Sequence, residues 1–125
     1  GASEAAEAVT AARGAQPGWG EMGMPARRVC LSALADALDR YTGHFAKLLT
    51  QECGFDEATA TAEVGAAVAA LQGAGVGATG VFGLVLDASR PLVAAAENLA
   101  PALLAGATVV VKPSPRAPSA VFALC

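Results

Sequence analysis

The spacing of apolar residues changes character part-way along the chain. Leu34, Leu38, Tyr41, Phe45 and Leu48 recur at helical intervals, so Pro25 is expected to open a long helix that Thr42-Gly43 loosens and Gly54 stops. Asp56 is placed to cap a further helix carrying Val64, Val68 and Leu71 on one face, with Gly73 as its end. Ahead of these, Ser3 to Arg13 reads as a short helix ending at Gly14. Gly14 to Gly23 then reads as a turn-rich link in which Trp19 anchors two helices. Beyond Gly80 the helical interval gives way to an almost unbroken apolar run, Val81 to Leu86, as in a strand covered on both faces. A polar turn, Asp87 to Arg90, leads to Pro91 and a helix reaching about Ala105. Gly106 then precedes a β-branched strand, Thr108 to Val111. Lys112, the loop Pro113 to Pro118 and a last helical segment from Ser119 to Cys125 follow.

Strand, helix, strand, helix in this order is a βαβ unit with parallel strands and a right-handed crossover. The expected fold is therefore α/β: a helical lead-in over residues 1–79, then a partial Rossmann-like unit over residues 80–125. Two parallel strands do not make a self-sufficient sheet. Phe82, Val85, Leu103, Val110, Val121 and Phe122 are accordingly expected to be covered by further residues of a longer chain, another subunit or self-association.

Composition narrows the function. Hydrophobic residues make up 54% of the 125, but much of that is alanine, which buries little area per residue and predicts a thin core. A net charge of −3 argues against nucleic acid, which needs clustered cations. The only adjacent basic pair, Arg27-Arg28, reads as a solvated helix edge. Leu92 to Val111 is apolar enough to suggest a membrane span. Glu97, Asn98, Pro101 and Gly106 interrupt it, and a helix followed by a strand accounts for it better. Three scattered cysteines, Cys30, Cys53 and Cys125, have neither metal-ligand nor disulfide spacing and read as reduced, buried side chains of a cytoplasmic protein. The N-terminus shows no secretory pattern. His44, the single histidine, lies beside the apolar stripe without a motif around it and reads as structural.

Two blocks, GVFGLVLDASRPL and NLAPALLAGATVVVKPSPRAP, together with the upstream LSALADALDR and LLTQECG, resemble the aldehyde dehydrogenase superfamily. Gly80, Gly83, Pro91 and Leu92 carry the first match. Ala100 to Leu103, Gly106, Thr108, Val111 to Ser114 and Pro118 carry the second. The resemblance implies the first part of a cofactor-binding domain, with Lys112 and Ser114 touching the adenosine ribose of NAD or NADP. It also implies NAD(P)-dependent aldehyde oxidation through a thiolate nucleophile.

The departures from the family pattern fall on chemistry. The asparagine whose amide holds the oxyanion is matched by Ser89, and its two preceding neighbours by Asp87 and Ala88. A serine offers one donor in place of an amide, and a carboxylate beside it opposes developing negative charge. Pro115 stands where NAD-preferring relatives place a ribose-binding glutamate, and Ala107 where the family has asparagine. The family's phosphate turn, general-base glutamate and nucleophilic cysteine would lie beyond Cys125, and its usual long segment before the first strand is reduced to about Gln72 to Thr79. None of the three cysteines present sits in the nucleophile's context. The expected function is a pseudoenzyme-like module, inactive alone, with a structural, assembly or partner-binding role. The alternative is a fragment or subunit of an active NAD(P)-dependent enzyme.

Overall fold

A computed structural model describes residues 1–125. Helices α1 (Ala2–Glu21), α2 (Met24–Arg40), α3 (Thr42–Cys53) and α4 (Glu57–Gln72) precede strand β1 (Val81–Val85). Helix α5 (Pro91–Leu104), strand β2 (Thr108–Lys112) and the short α6 (Ser119–Leu124) complete the chain. β1 and β2 pair in parallel, with Val81 opposite Thr108 and Val85 opposite Lys112, so the α/β reading of the sequence holds.

Local signals account for several boundaries. Pro25 occupies the first turn of α2, where its missing N–H removes no helical bond. Asp56 caps α4, its carboxylate accepting from the Thr59 N–H at 2.7 Å. Gly54 ends α3 with φ +69°, a left-handed conformation that glycine adopts without penalty. The long helix expected from Pro25 to Gly54 is two helices that meet at Tyr41. Its backbone (φ −99°, ψ 25°) leaves the helical region, and its ring points outward at the corner. The stripe that buries is therefore Leu31, Ala35 and Leu38 on α2, then Phe45, Ala46 and Leu49 on α3.

α1 departs most from expectation, because it runs unbroken through Gly14 and Pro17 to Glu21. Tertiary bonds hold what local propensity would break. Trp19 Nε1 donates to the Leu103 carbonyl at 2.8 Å, Thr108 Oγ1 to that of Ala12 at 2.7 Å and Gln16 Nε2 to that of Gly106 at 3.2 Å. Trp19 is thus the anchor the sequence suggests, joining α1 to the end of α5.

Arg27 is not a solvated edge. It is only 8% exposed, and it donates to Leu104 O (2.9 Å), Gly20 O (3.1 Å) and Met22 O. One guanidinium so gathers carbonyls at the C-terminal ends of α1 and α5, where the helix dipole favours a cation. Gly106 must be glycine there. Its φ is +92°, and a Cβ would stand 3.2 Å from Gly20 Cα and 3.4 Å from Arg27 Cζ. Arg28 reaches the Ala74 carbonyl at 3.3 Å.

A single cluster of 23 buried apolar residues runs from Leu31 to Leu124. The alanine content does not make it thin. Ala60 and Ala67 of α4 and Ala95 and Ala96 of α5 are fully buried, and such small side chains let two helices approach closely. Within this chain Val121 is buried, Leu103 and Val110 are half-buried, and Phe82, Val85 and Phe122 are exposed. No helix is long and apolar enough to cross a membrane.

Candidate functional site

Parallel pairing brings the carboxyl ends of both strands to one edge of the sheet, the edge at which open α/β folds take their ligands. The Leu86 N–H still bonds the Lys112 carbonyl at 3.0 Å, so the ladder extends to the last residue of β2. Past that rung the chain diverges into the Asp87–Arg90 turn after β1 and the Pro113–Pro118 loop after β2. Ser89 thus lies on the first connection, Lys112 at the end of β2 and Ser114 at the start of the second connection.

In the first turn, the Ser89 N–H and Oγ–H both donate to Asp87 Oδ1, at 2.9 and 2.7 Å. These two bonds stabilise the charged form and hold the Asp87 carboxyl below its ordinary range. The one proton Ser89 could offer an oxyanion is committed to a neighbouring carboxylate. Beside this turn opens a cavity of about 530 Å³ lined by Phe55, Thr59, Glu63, Ala66, Ser89 and Arg90.

Glu63 belongs to no motif in the sequence. It is 5% exposed, one oxygen faces Arg90 Nε at 3.6 Å, and the other has no hydrogen-bond partner. Burial pushes its carboxyl up, while the Arg90 charge and the backbone N–H groups of Val93 and Leu92 pull it down. The Glu63 carboxylate faces the first turn of α5, whose N-cap residue Arg90 makes no side-chain cap bond, and the positive end of the helix dipole favours its charged form. The available signal was its helical spacing: Glu63 falls three residues after Ala60 and four before Ala67, both buried.

Cys53 Sγ packs against the same turn, 3.9 Å from the Ala88 carbonyl. Its thiol is pushed up by burial and then by the charges of Glu52 and Glu63, which disfavour the thiolate a nucleophile needs. The expectation of buried cysteines fails: Cys30 and Cys125 are exposed and Cys53 is half-buried, and all three are free. The neighbouring helices give Cys30 only partial cover, and Cys125 follows the last helix. His44 is exposed and meets the Phe45 ring edge-on, 5.9 Å between centroids.

On the second connection Lys112 is exposed, whereas Ser114 is 8% exposed. Ser114 Oγ accepts from the Arg116 N–H at 3.2 Å, and its carbonyl accepts from the Ala117 N–H at 3.1 Å, closing a turn over residues 114–117. Glu52 then fixes the start of α6: its two carboxylate oxygens accept from Ser119 N and Oγ, both at 2.7 Å. That contact too went unread in the sequence, because its partners lie 67 residues apart.

The profile of the Aldehyde dehydrogenase family matches residues 1–83, the helical lead-in and the start of β1. The chain belongs to the aldehyde dehydrogenase family. A curated relative, the 3,6-anhydro-alpha-L-galactose dehydrogenase of Streptomyces coelicolor, is 32% identical over an alignment of 139 residues, covering 94% of this chain and 28% of the relative. Among solved structures, an NADP dependent enzyme of E. coli superposes with a TM-score of 0.93 at 25% identity, over 99% of this chain and 31% of that one. The betaine aldehyde dehydrogenase of Staphylococcus aureus, in complex with NAD+, superposes with a TM-score of 0.88 at 22% identity, over 98% of this chain and 30% of that one. These superpositions extend through the βαβ unit that the profile match leaves out. The chain spans less than a third of the length of these relatives.

Proposed function

We propose that this chain is an aldehyde dehydrogenase-like module that does not oxidise aldehydes by itself and acts within a larger particle, in a structural, assembly or partner-binding role. The observation that carries this reading is the Ser89–Asp87 pair. Where the family resemblance puts an amide that steadies an oxyanion, this chain presents a hydroxyl already bonded to a carboxylate at 2.7 Å. A tetrahedral oxyanion forming there would meet negative charge instead of a free donor. The protonated Cys53 beside it does not supply the missing nucleophile.

The carboxyl edge supports retention of the adenosine end of a cofactor site for NAD or NADP. Lys112 offers an exposed ammonium, and Ser114 Oγ, which accepts from Arg116, keeps its own O–H to donate. That donor set fits ribose hydroxyls and phosphate. The bound dinucleotide would supply hydride chemistry, and Lys112 and Ser114 would only hold and orient it.

A second reading is favoured by the relatives' length: a chain that superposes so closely over 31% of a longer enzyme is also what a piece of an active NAD(P)-dependent dehydrogenase would look like. Assay of the 125-residue chain with short aldehydes and NAD or NADP tests the first reading. No turnover above background is expected, and turnover that survives repurification contradicts it.

A further inference from the structure

We infer that Glu63 is a proton-sensitive latch on the Asp87–Arg90 turn: the turn stays shut against α4 while this carboxyl is neutral and loosens when it ionises. The segment so controlled is the one that carries Ser89 at the carboxyl edge of the sheet.

The geometry is that of an anion with too few partners. Glu63 is 5% exposed, yet one oxygen has no hydrogen-bond partner and the other has a single long contact, 3.6 Å to Arg90 Nε. Arg90 is itself exposed, so water screens much of what its charge could contribute. A buried charge so poorly paired is costly, and the cost falls once water reaches it. A route for water lies beside it: the cavity of about 530 Å³ runs from Glu63 to Ser89 and Arg90 and has room for several molecules. The turn can move as a unit, because both Ser89 bonds end on Asp87 within it. Its side-chain ties to the helices behind are the Glu63–Arg90 pair and the weak Cys53–Ala88 contact at 3.9 Å.

Titratable groups reach Glu63 from each element packed against it. Arg90 comes from the turn, Glu97 from α5 and Cys53 from α3, and Cys53 is neutral where a carboxyl titrates. Glu52, beside Cys53, is bound to Ser119, and Asp87 to Ser89. Burial opposes the Glu63 anion most, Arg90 and the N–H groups of Val93 and Leu92 favour it, and Glu97 opposes it. The balance is upward, so the closed turn holds the proton more tightly than an opened, hydrated one. Acid therefore favours closing, and rising pH favours opening.

Amide hydrogen exchange of the 125-residue chain, read by NMR across pH and corrected for intrinsic exchange, tests the latch. The carboxyl carbon of Glu63 is followed in the same samples. Protection at Leu92, Val93 and Ala94, in the first turn of α5, should fall as Glu63 ionises. A fall of at least about fivefold is expected, the low end of what an unsatisfied buried group costs. Protection at Leu38, inside α2, should stay constant. Glu63→Gln should abolish the fall, and Arg90→Gln should enlarge it by removing the charge that favours the anion. A Glu63 carboxyl that titrates at or below the ordinary value of about 4.3 overturns the latch in the unmodified chain, whatever the variants do. Constant protection at the α5 amides, an equal fall at Leu38, or a fall that persists in Glu63→Gln or shrinks in Arg90→Gln also overturns it.

Discussion

The α4–α5 pair and the β1–β2 pair solve the same problem with unequal success. In the packed helices, Ala60, Val64 and Ala67 of α4 and Leu92, Ala95, Ala96 and Leu104 of α5 are wholly buried. In the sheet, four of the five β1 residues are exposed and no β2 residue is fully buried; Val85 is 76% exposed. Both regions are equally apolar in sequence, so hydrophobicity alone does not decide burial. A helix completes its own backbone bonds and needs a partner on one face. A strand needs neighbours at both edges and cover on both faces, and this chain supplies one edge and part of the cover. Exposed apolar surface of that kind marks a place where something else packs.

Mutations should separate the two regions. The largest effect is expected at the helical interface: Leu104→Ala removes a fully buried side chain and should cost about 2–5 kcal/mol in urea denaturation. Arg27→Met keeps much of the side-chain volume but orphans carbonyls at two helix ends, and should cost about 1–3 kcal/mol by the same measurement. Val85→Thr, on the open sheet, should change stability by no more than about 0.5 kcal/mol. A cost at Val85 approaching that at Leu104 would show that the sheet is covered after all.

Titration sharpens the contrast. Glu63 sits in the helical region with its carboxyl pushed up by burial, so the folded state holds its proton more tightly than the unfolded chain does. Its contribution to stability is fully present below the ordinary glutamate pKa of about 4.3 and is lost as pH rises through the raised value. Asp87, at the sheet edge, is held low by its bonds to Ser89 and has the opposite sign. Its contribution is present above its ordinary range and is lost as pH falls through the lowered value. Melting curves across pH should therefore show Glu63→Gln removing a loss of stability on the rising side, and Asp87→Asn removing one on the acid side.

What the sequence disclosed follows from how local each signal is. Asp56, Gly54, Pro25 and the strand run after Gly80 act on their own neighbours, and each boundary they mark is present, although the one helix expected between Pro25 and Gly54 is two. Family resemblance alone gives Ser89, Lys112 and Ser114 their roles, and the parallel register brings the end of β2 at Lys112 and the connections holding Ser89 and Ser114 to one edge. Arg27, Glu52 and Glu63 were misread or passed over because their partners are distant in the chain: Arg27 bonds a carbonyl 77 residues away. The same holds for α1, which local rules end at Gly14 and which Trp19, Gln16 and Thr108 carry through Pro17. Tertiary bonds outweighed local propensity there.

The proposal that the chain works within a larger particle requires that the helices close their own core while the sheet takes cover from outside the chain. Light scattering across a concentration series, with a hydrophobic dye added to the most dilute samples, tests it most directly. The chain should either associate as concentration rises or bind the dye where it is monomeric. In both cases Val85→Lys should weaken the response and Val29→Lys, at an exposed position on α2, should leave it unchanged. A cooperatively folding monomer that ignores the dye at every concentration would contradict the claim.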